Sequence, residues 1–189
     1  MFEKIVPDTE TPTLIVNKGV IKQQYQEFCD KFSGAKIYYA LKANPHPEIV
    51  KLLQEYGCAF EISSQGELEL LLGAKVPPEK IISGNPIKEQ SFIEHAHAHG
   101  VELFTFDSYA ELEKLSHSAP GSKVCIRLSV PNESSEWPLS NKFGVETPEA
   151  ADLLVNAREK NLTPYGIAFH VGSQCANAQA WDKAIEKSK

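Results

Sequence analysis

The sequence contains no G-x-G-x-x-G and no G-x-x-x-x-G-K-[ST], although it holds 11 glycines. The first absence argues against a dinucleotide-binding sheet, the second against a P-loop nucleotide site. No run is long and apolar enough to cross a bilayer, which takes about 20 residues. The four cysteines, Cys29, Cys58, Cys125 and Cys175, form no C-x-x-C pair, so the reading is a reduced, cytoplasmic chain. There is no excess of positive charge: the net charge of −6 argues against nucleic acid as a partner. The first residues, MFEKIVPDTE, are acidic and lack the apolar core of a secretory signal.

What is present is an alternation of apolar strands and amphipathic helices. Of the 189 residues, 42% are hydrophobic, enough for one sizeable core. TPTLIVN reads as a β-rich run and KGVIKQQYQEFCDKF as a helix. KIYYALKAN, AFEISS, KIISGN, VELFTFDS, KVCIRLSV and PYGIAFHVGSQ read as strands with their turns, and helices lie between them. Prolines in first helical turns and glycines such as Gly57 and Gly100 at helix ends mark the boundaries. Strands alternating with helices predict parallel βαβ units. Polar residues gather just past many different strands: Lys42 and Asn44, Ser63 and Ser64, Asn85, Asp107, Arg127, and His170 with Ser173. That distribution favours a (β/α)8 TIM-type barrel over a doubly wound sheet, which concentrates its site at one crevice. About six βα units are countable against the roughly eight of a closed barrel. The expected organisation is therefore a leading strand and helix over residues 1–33 and an incomplete barrel over 34–189.

Lys42 ends an apolar, aromatic strand. Position alone allows a lysine that snorkels out of the barrel mouth, or a desolvated amine poised to form a Schiff base. His170 reads either as a hydrogen-bonded core histidine or as a site residue. The Gly172-Ser173 turn after it offers a hydroxyl and backbone N–H groups for a phosphate. Arg127 suits an ion pair or a ligand contact. In EHAHAHG, His95 and His99 share a helix face, but no third ligand lies nearby, so a solvated face is favoured over a metal site. PNESSEWPLSNKFG, with Trp137, reads as a loop over the mouth or as an inert surface loop.

YYALKANPHPEIVKLL, FEISSQGELELLL, FTFDS, NKFGV and FHVGSQ, in this order and spacing, resemble the fold-type III decarboxylases. These use pyridoxal 5′-phosphate, have an alanine-racemase-like barrel, and include ornithine, lysine, arginine and diaminopimelate decarboxylases. The likeness runs from about Thr11 to the end. It implies that Lys42 forms the Schiff base with the cofactor aldehyde and that Ala40 and Glu61 line the cofactor. It implies further that Glu67 and Arg127 lie near it, that His170 stacks on the pyridine ring, and that Ser173 contacts the phosphate. Lys42 and His170 are then the catalytic pair, with no metal.

The resemblance also implies parts beyond Lys189: a glycine-rich phosphate loop, a Glu-Pro-Gly-Arg segment and a C-terminal β-domain contributing across a homodimer. The expectation is a whole protein of polyamine biosynthesis that decarboxylates a basic amino acid, the 189 residues alone being largely inactive. GNPIK and FTFDS resemble the ornithine/lysine branch, whereas GSQ and GELE resemble the diaminopimelate branch; ornithine or lysine is favoured. An amino-acid racemase and a catalytically silent, decarboxylase-like regulatory protein are the alternatives.

Overall fold

A computed structural model describes residues 12–131, 135–136 and 142–189. The chain divides into two compact units, Met1–Ile37 and Tyr38–Lys189. In the first, helix α1 (Lys18–Lys31) begins at Asn17, whose Oδ1 accepts from the Gly19 N–H at 2.9 Å. Side-chain amides brace its exposed surface one turn apart, Gln23 to Glu27 at 3.1 Å and Gln26 to Asp30 at 2.9 Å. The strand expected over TPTLIVN is absent: residues 12–17 carry no ladder, and Thr11 lies outside the described residues. A β-rich composition favours a strand only where a neighbour supplies hydrogen bonds, and the described sheet does not take in residues 12–17.

The second unit is one sheet of six parallel strands in sequential order. The strands are β1 (Tyr38–Ala40), β2 (Ala59–Ile62), β3 (Ile81–Ser83), β4 (Leu103–Phe106), β5 (Lys123–Leu128) and β6 (Thr163–Phe169). Helices α2 (Pro47–Glu55), α3 (Gln65–Gly73), α4 (Gln90–Ala98), α5 (Tyr109–Ser118) and α6 (Thr147–Glu159) connect them, and α7 (Gln179–Lys187) follows β6. Sequential order with a helix at every crossover is (β/α)8 architecture, here as six open units. Among the described residues β1 and β6 are the sheet's edges.

The sequence places these elements by ordinary means. Ser64 Oγ caps α3 through the Glu67 N–H at 3.3 Å, and Ser108 Oγ caps α5 through the Glu111 N–H at 3.2 Å. Gly57 and Gly100 leave their helices at φ 87° and 86°, a left-handed conformation costly for other residues. Side chains alternate across the sheet. Phe60, Ile62, Phe104, Phe106, Val124 and Ile126 form one face and are fully buried, as are Leu68, Leu71, Leu112, Leu115 and Leu153 on the helices. The other face carries Glu61, Thr105, Cys125 and Arg127, so the apolar core lies between sheet and helices and leaves the chemistry to the concave side.

Phe104 anchors that core in the middle of the sheet. Phe104→Ala is expected to cost about 3–5 kcal/mol, read as a lower urea midpoint at unchanged slope. A loss below about 1 kcal/mol would contradict the placement of the core.

Candidate functional site

Because all six strands are parallel, their carboxyl ends share one edge of the sheet. β1 ends at Ala40, half-buried and paired with Glu61 of β2. Lys42 lies just past β1, on a single 3₁₀ turn, Leu41–Ala43, rather than as the last residue of the strand. The ladder stops at Ala40, and the chain bends there because Leu41 turns into the core at 0% exposure. The Tyr39 hydroxyl closes the bend by donating to the Asn44 carbonyl at 3.3 Å. Lys42 is left exposed on the site side.

Glu61 stands at the centre of the charge arrangement. Burial raises its pKa; the Lys42 and Arg127 cations oppose that rise, while the Glu67 carboxylate adds to it. Glu67 is a helix-start glutamate whose Oε2 accepts from the Ser63 N–H at 2.6 Å, which fixes the loop between β2 and α3. Arg127, half-buried near the end of β5, is disfavoured as a cation by burial and supported by the Asp107 and Glu61 carboxylates. Its guanidinium lies 5.0 Å from the centre of the Phe143 ring.

Asp107 does more than flank a helix cap. Its Oδ2 accepts from the Gly144 N–H at 2.7 Å and so pins the chain returning beside β5. Val145 continues that return, donating to the Arg127 carbonyl at 3.0 Å and accepting from the Ser129 N–H at 2.9 Å. Gly144 has φ 92°, and a Cβ there would lie 2.6 Å from the Ser129 nitrogen, so glycine is required. The long polar loop between Val130 and this return, with Trp137, lies largely outside the described residues.

His170 follows β6 directly and its Nδ1 accepts from the Gly172 N–H at 2.9 Å. That bond makes Nε2 the protonated nitrogen of the neutral ring and fixes the ring's direction. The ring has an exposed side, yet the protein packed around it lowers its pKa, and the Arg127 and Lys42 cations lower it further. Ser173, half-buried, lies between two left-handed residues, Gly172 at φ 95° and Gln174 at φ 54°. The structure thus brings Lys42, Glu61, Arg127 and His170 into one electrostatic group from the ends of four strands.

The sequence reading overlooked Lys88. Its side chain is 0% exposed, 2.8 Å from Glu111 Oε1, and donates to the Asn85 and Thr105 carbonyls at 2.9 and 2.6 Å. Lys114 takes the other oxygen of Glu111 at 2.6 Å. Buried Lys88 and Glu111, with Lys114 at their outer side, fasten the segment after β3 to β4 and α5. A lysine in the polar stretch NPIKEQ gives no hint of such burial. Outside the site, His95 pairs with Glu69 at 2.5 Å and its ring lies 4.3 Å from that of His99, while His97 Nδ1 is 3.3 Å from Ser122 Oγ. Among the described residues no group of three or more His, Cys, Asp or Glu is arranged to hold a metal. The Cys125 thiol, on the concave face, is pushed up to about 11 by burial, and is not a ready nucleophile.

This arrangement coincides with a recognised domain. The family model described as "Pyridoxal-dependent decarboxylase, pyridoxal binding domain" matches residues 18–189, and the chain belongs to that family. It is 37% identical over 175 residues to a lysine/ornithine decarboxylase of Selenomonas ruminantium, covering 93% of this chain and 44% of that protein. It is 34% identical over 175 residues to antizyme inhibitor 2 of Xenopus laevis, covering 93% and 38%. The crystal structure of a Vibrio vulnificus lysine/ornithine decarboxylase complexed with putrescine superimposes with a TM-score of 0.89 at 33% identity, covering 99% and 49%. The chain thus spans less than half the length of these relatives.

If the Arg127 cation reaches the His170 ring as described, removing it eases protonation. Arg127→Gln is expected to raise the His170 titration midpoint toward the ordinary 6.5, followed by NMR of the ring carbons. A midpoint that does not move would separate the two residues electrostatically.

Proposed function

We propose that this chain forms the pyridoxal 5′-phosphate-binding face of a cytoplasmic, homodimeric decarboxylase acting on a basic amino acid, with ornithine or lysine favoured. The observation that carries the reading is the joint placement of an exposed amine, a carboxylate, a guanidinium and a fixed neutral imidazole on four strand ends. The donor set fits the cofactor: Lys42 offers an amine to its aldehyde and His170 a flat face to its ring. Ser173 offers a hydroxyl to its phosphate. Pyridoxal phosphate, when bound, supplies an aldehyde that an amine can capture and a conjugated ring that accepts the electron pair left when CO2 departs.

The chain's own residues then divide the remaining work. Lys42 would hold the cofactor through its side-chain amine, the group with which a substrate amine competes. His170, oriented by the Gly172 N–H, would pack against the cofactor ring and help hold it in place. Ala40 lines the edge of β1 where a larger side chain would compete for space. Glu61 and Arg127 set opposite charges beside the site and resist each other's displacement. The putrescine complex of the Vibrio relative supports a diamine product and hence a basic substrate.

The match to a protein named antizyme inhibitor 2 favours a second reading, a regulatory binding protein on the same fold. One experiment separates the two. The chain is mixed with pyridoxal phosphate, reduced with borohydride, and digested for peptide mass mapping. A single adduct at Lys42, lost in Lys42→Ala, is the expected result. Adducts scattered over surface lysines, or none, would mean that these 189 residues do not assemble the site; the same treatment of the full-length protein, if it too leaves Lys42 unmodified, favours the regulatory reading. Because β1 and β6 are unpaired edges among the described residues, we expect the 189-residue chain alone to release little CO2 from ornithine, lysine or diaminopimelate. Brisk release by the mass-verified chain overturns that expectation.

A further inference from the structure

Gly84 follows β3 directly, and its backbone does not call for glycine. It is absent from the glycines with positive φ. Its lack of a side chain serves a different purpose. A Cβ built there would lie 2.7 Å from Glu61 Oε1 and 2.8 Å from both Glu61 Cδ and Cγ. Real Cβ contacts are not that short, so any side chain at this position would force Glu61 to move. Gly144 is the useful contrast, because there the collision is with backbone, at 2.6 Å from the Ser129 nitrogen, and at positive φ. Substitution at Gly144 strains the fold, whereas substitution at Gly84 shifts one flexible side chain and costs little stability.

The direction of that shift is set by strand order. β2 lies between β1 and β3, and Glu61 is paired with Ala40 on one side and Ile82 on the other. Pushed off β3, the carboxylate moves toward the end of β1, where Lys42 sits two residues beyond Ala40. The groups facing Glu61 are Lys42, Glu67, Ser63 and Arg127.

We propose that Gly84 is a positioning residue for Glu61: the empty space beside β3 holds the carboxylate back from Lys42. This rests on the reading of Lys42 as the pyridoxal-phosphate lysine. Lys42 Nζ can bond an aldehyde carbon only as the free amine, the carbonyl oxygen leaving as water. A carboxylate drawn onto that nitrogen favours the ammonium, which has no lone pair to give.

The test is a double-mutant cycle of wild type, G84A, E61D and the double variant, with two readouts. One is the side-chain carboxyl titration at position 61 by carbon NMR without cofactor. The other is the rate of pyridoxal-phosphate capture at Lys42, followed by visible absorbance and fixed with borohydride. G84A is expected to lower the Glu61 midpoint, because the carboxylate gains on a cation, and to slow capture about tenfold while the melting temperature holds within ~2 °C. In the E61D background, where the shorter acid withdraws from position 84, the same change should alter capture less than about twofold. A Glu61 midpoint untouched by G84A, or equal losses in both backgrounds, overturns the proposal. Failure of the wild type to take the cofactor at Lys42 is a failure of the proposed function instead, and the cofactor-free titration still decides the role of Gly84.

Discussion

Parallel direction is the constraint on which the rest depends. Six strands running the same way bring six carboxyl ends to one edge, and the helix that follows each strand begins near that edge. The side presented there is rich in backbone N–H groups and carries the positive ends of the helix dipoles. Ser64 and Ser108 use some of those donors as caps. Register does the rest: Ala40, Glu61 and Ile82 are successive partners across three strands, and Arg127 is the partner of Ala168. A residue's place in the site is therefore decided by how far along its strand it lies, and sequence distance has little to do with it.

Such a positive edge needs acids in fixed positions, and Glu61, Glu67 and Asp107 each supply one in a different way. Glu67 spends its carboxylate on the backbone before its helix, where loop and helix start hold it together. Asp107 binds a backbone N–H across the site and at the same time supports Arg127. Glu61 alone is not tied down by a backbone donor among the described hydrogen bonds, and its surroundings pull it both ways. Its hydrogen bond comes from the Ser63 side chain instead, and under the proposal above the volume left by Gly84 sets where the carboxylate lies.

Much of this was legible in the sequence, for a physical reason. Buried strands between amphipathic helices leave a periodic signal, so the six units and the polar residues at their ends were readable before any coordinates. Legibility failed where an outcome depends on a partner distant in sequence. TPTLIVN has the composition of a strand, yet residues 12–17 join no ladder. Lys42 was assigned to the strand's end, because the sequence does not show that Leu41 is drawn into the core and bends the chain. Lys88 drew no notice in the sequence, where it falls in a helical stretch, IKEQSFIEHAHAHG, because its burial depends on Glu111, more than twenty positions away. Asp107 was seen at the mouth, but its hold on Gly144 crosses 37 positions.

The two residues with the most chemistry, Lys42 and His170, follow β1 and β6, the opposite edges of the sheet. In a flat sheet, strands about 4.8 Å apart would hold those edges more than 20 Å from each other, too far for one charge to matter to the other across solvent. Yet the Lys42 cation contributes to lowering the His170 pKa. Barrel tilt and twist curl such a sheet and bring the carboxyl ends of its edges toward each other, in keeping with that influence. The side that faces the helices carries the core, with Phe60, Phe104 and Phe106 fully buried. The same strands thus carry packing on one face and reactive groups on the other, and a substitution in the core can alter the site without touching any residue in it.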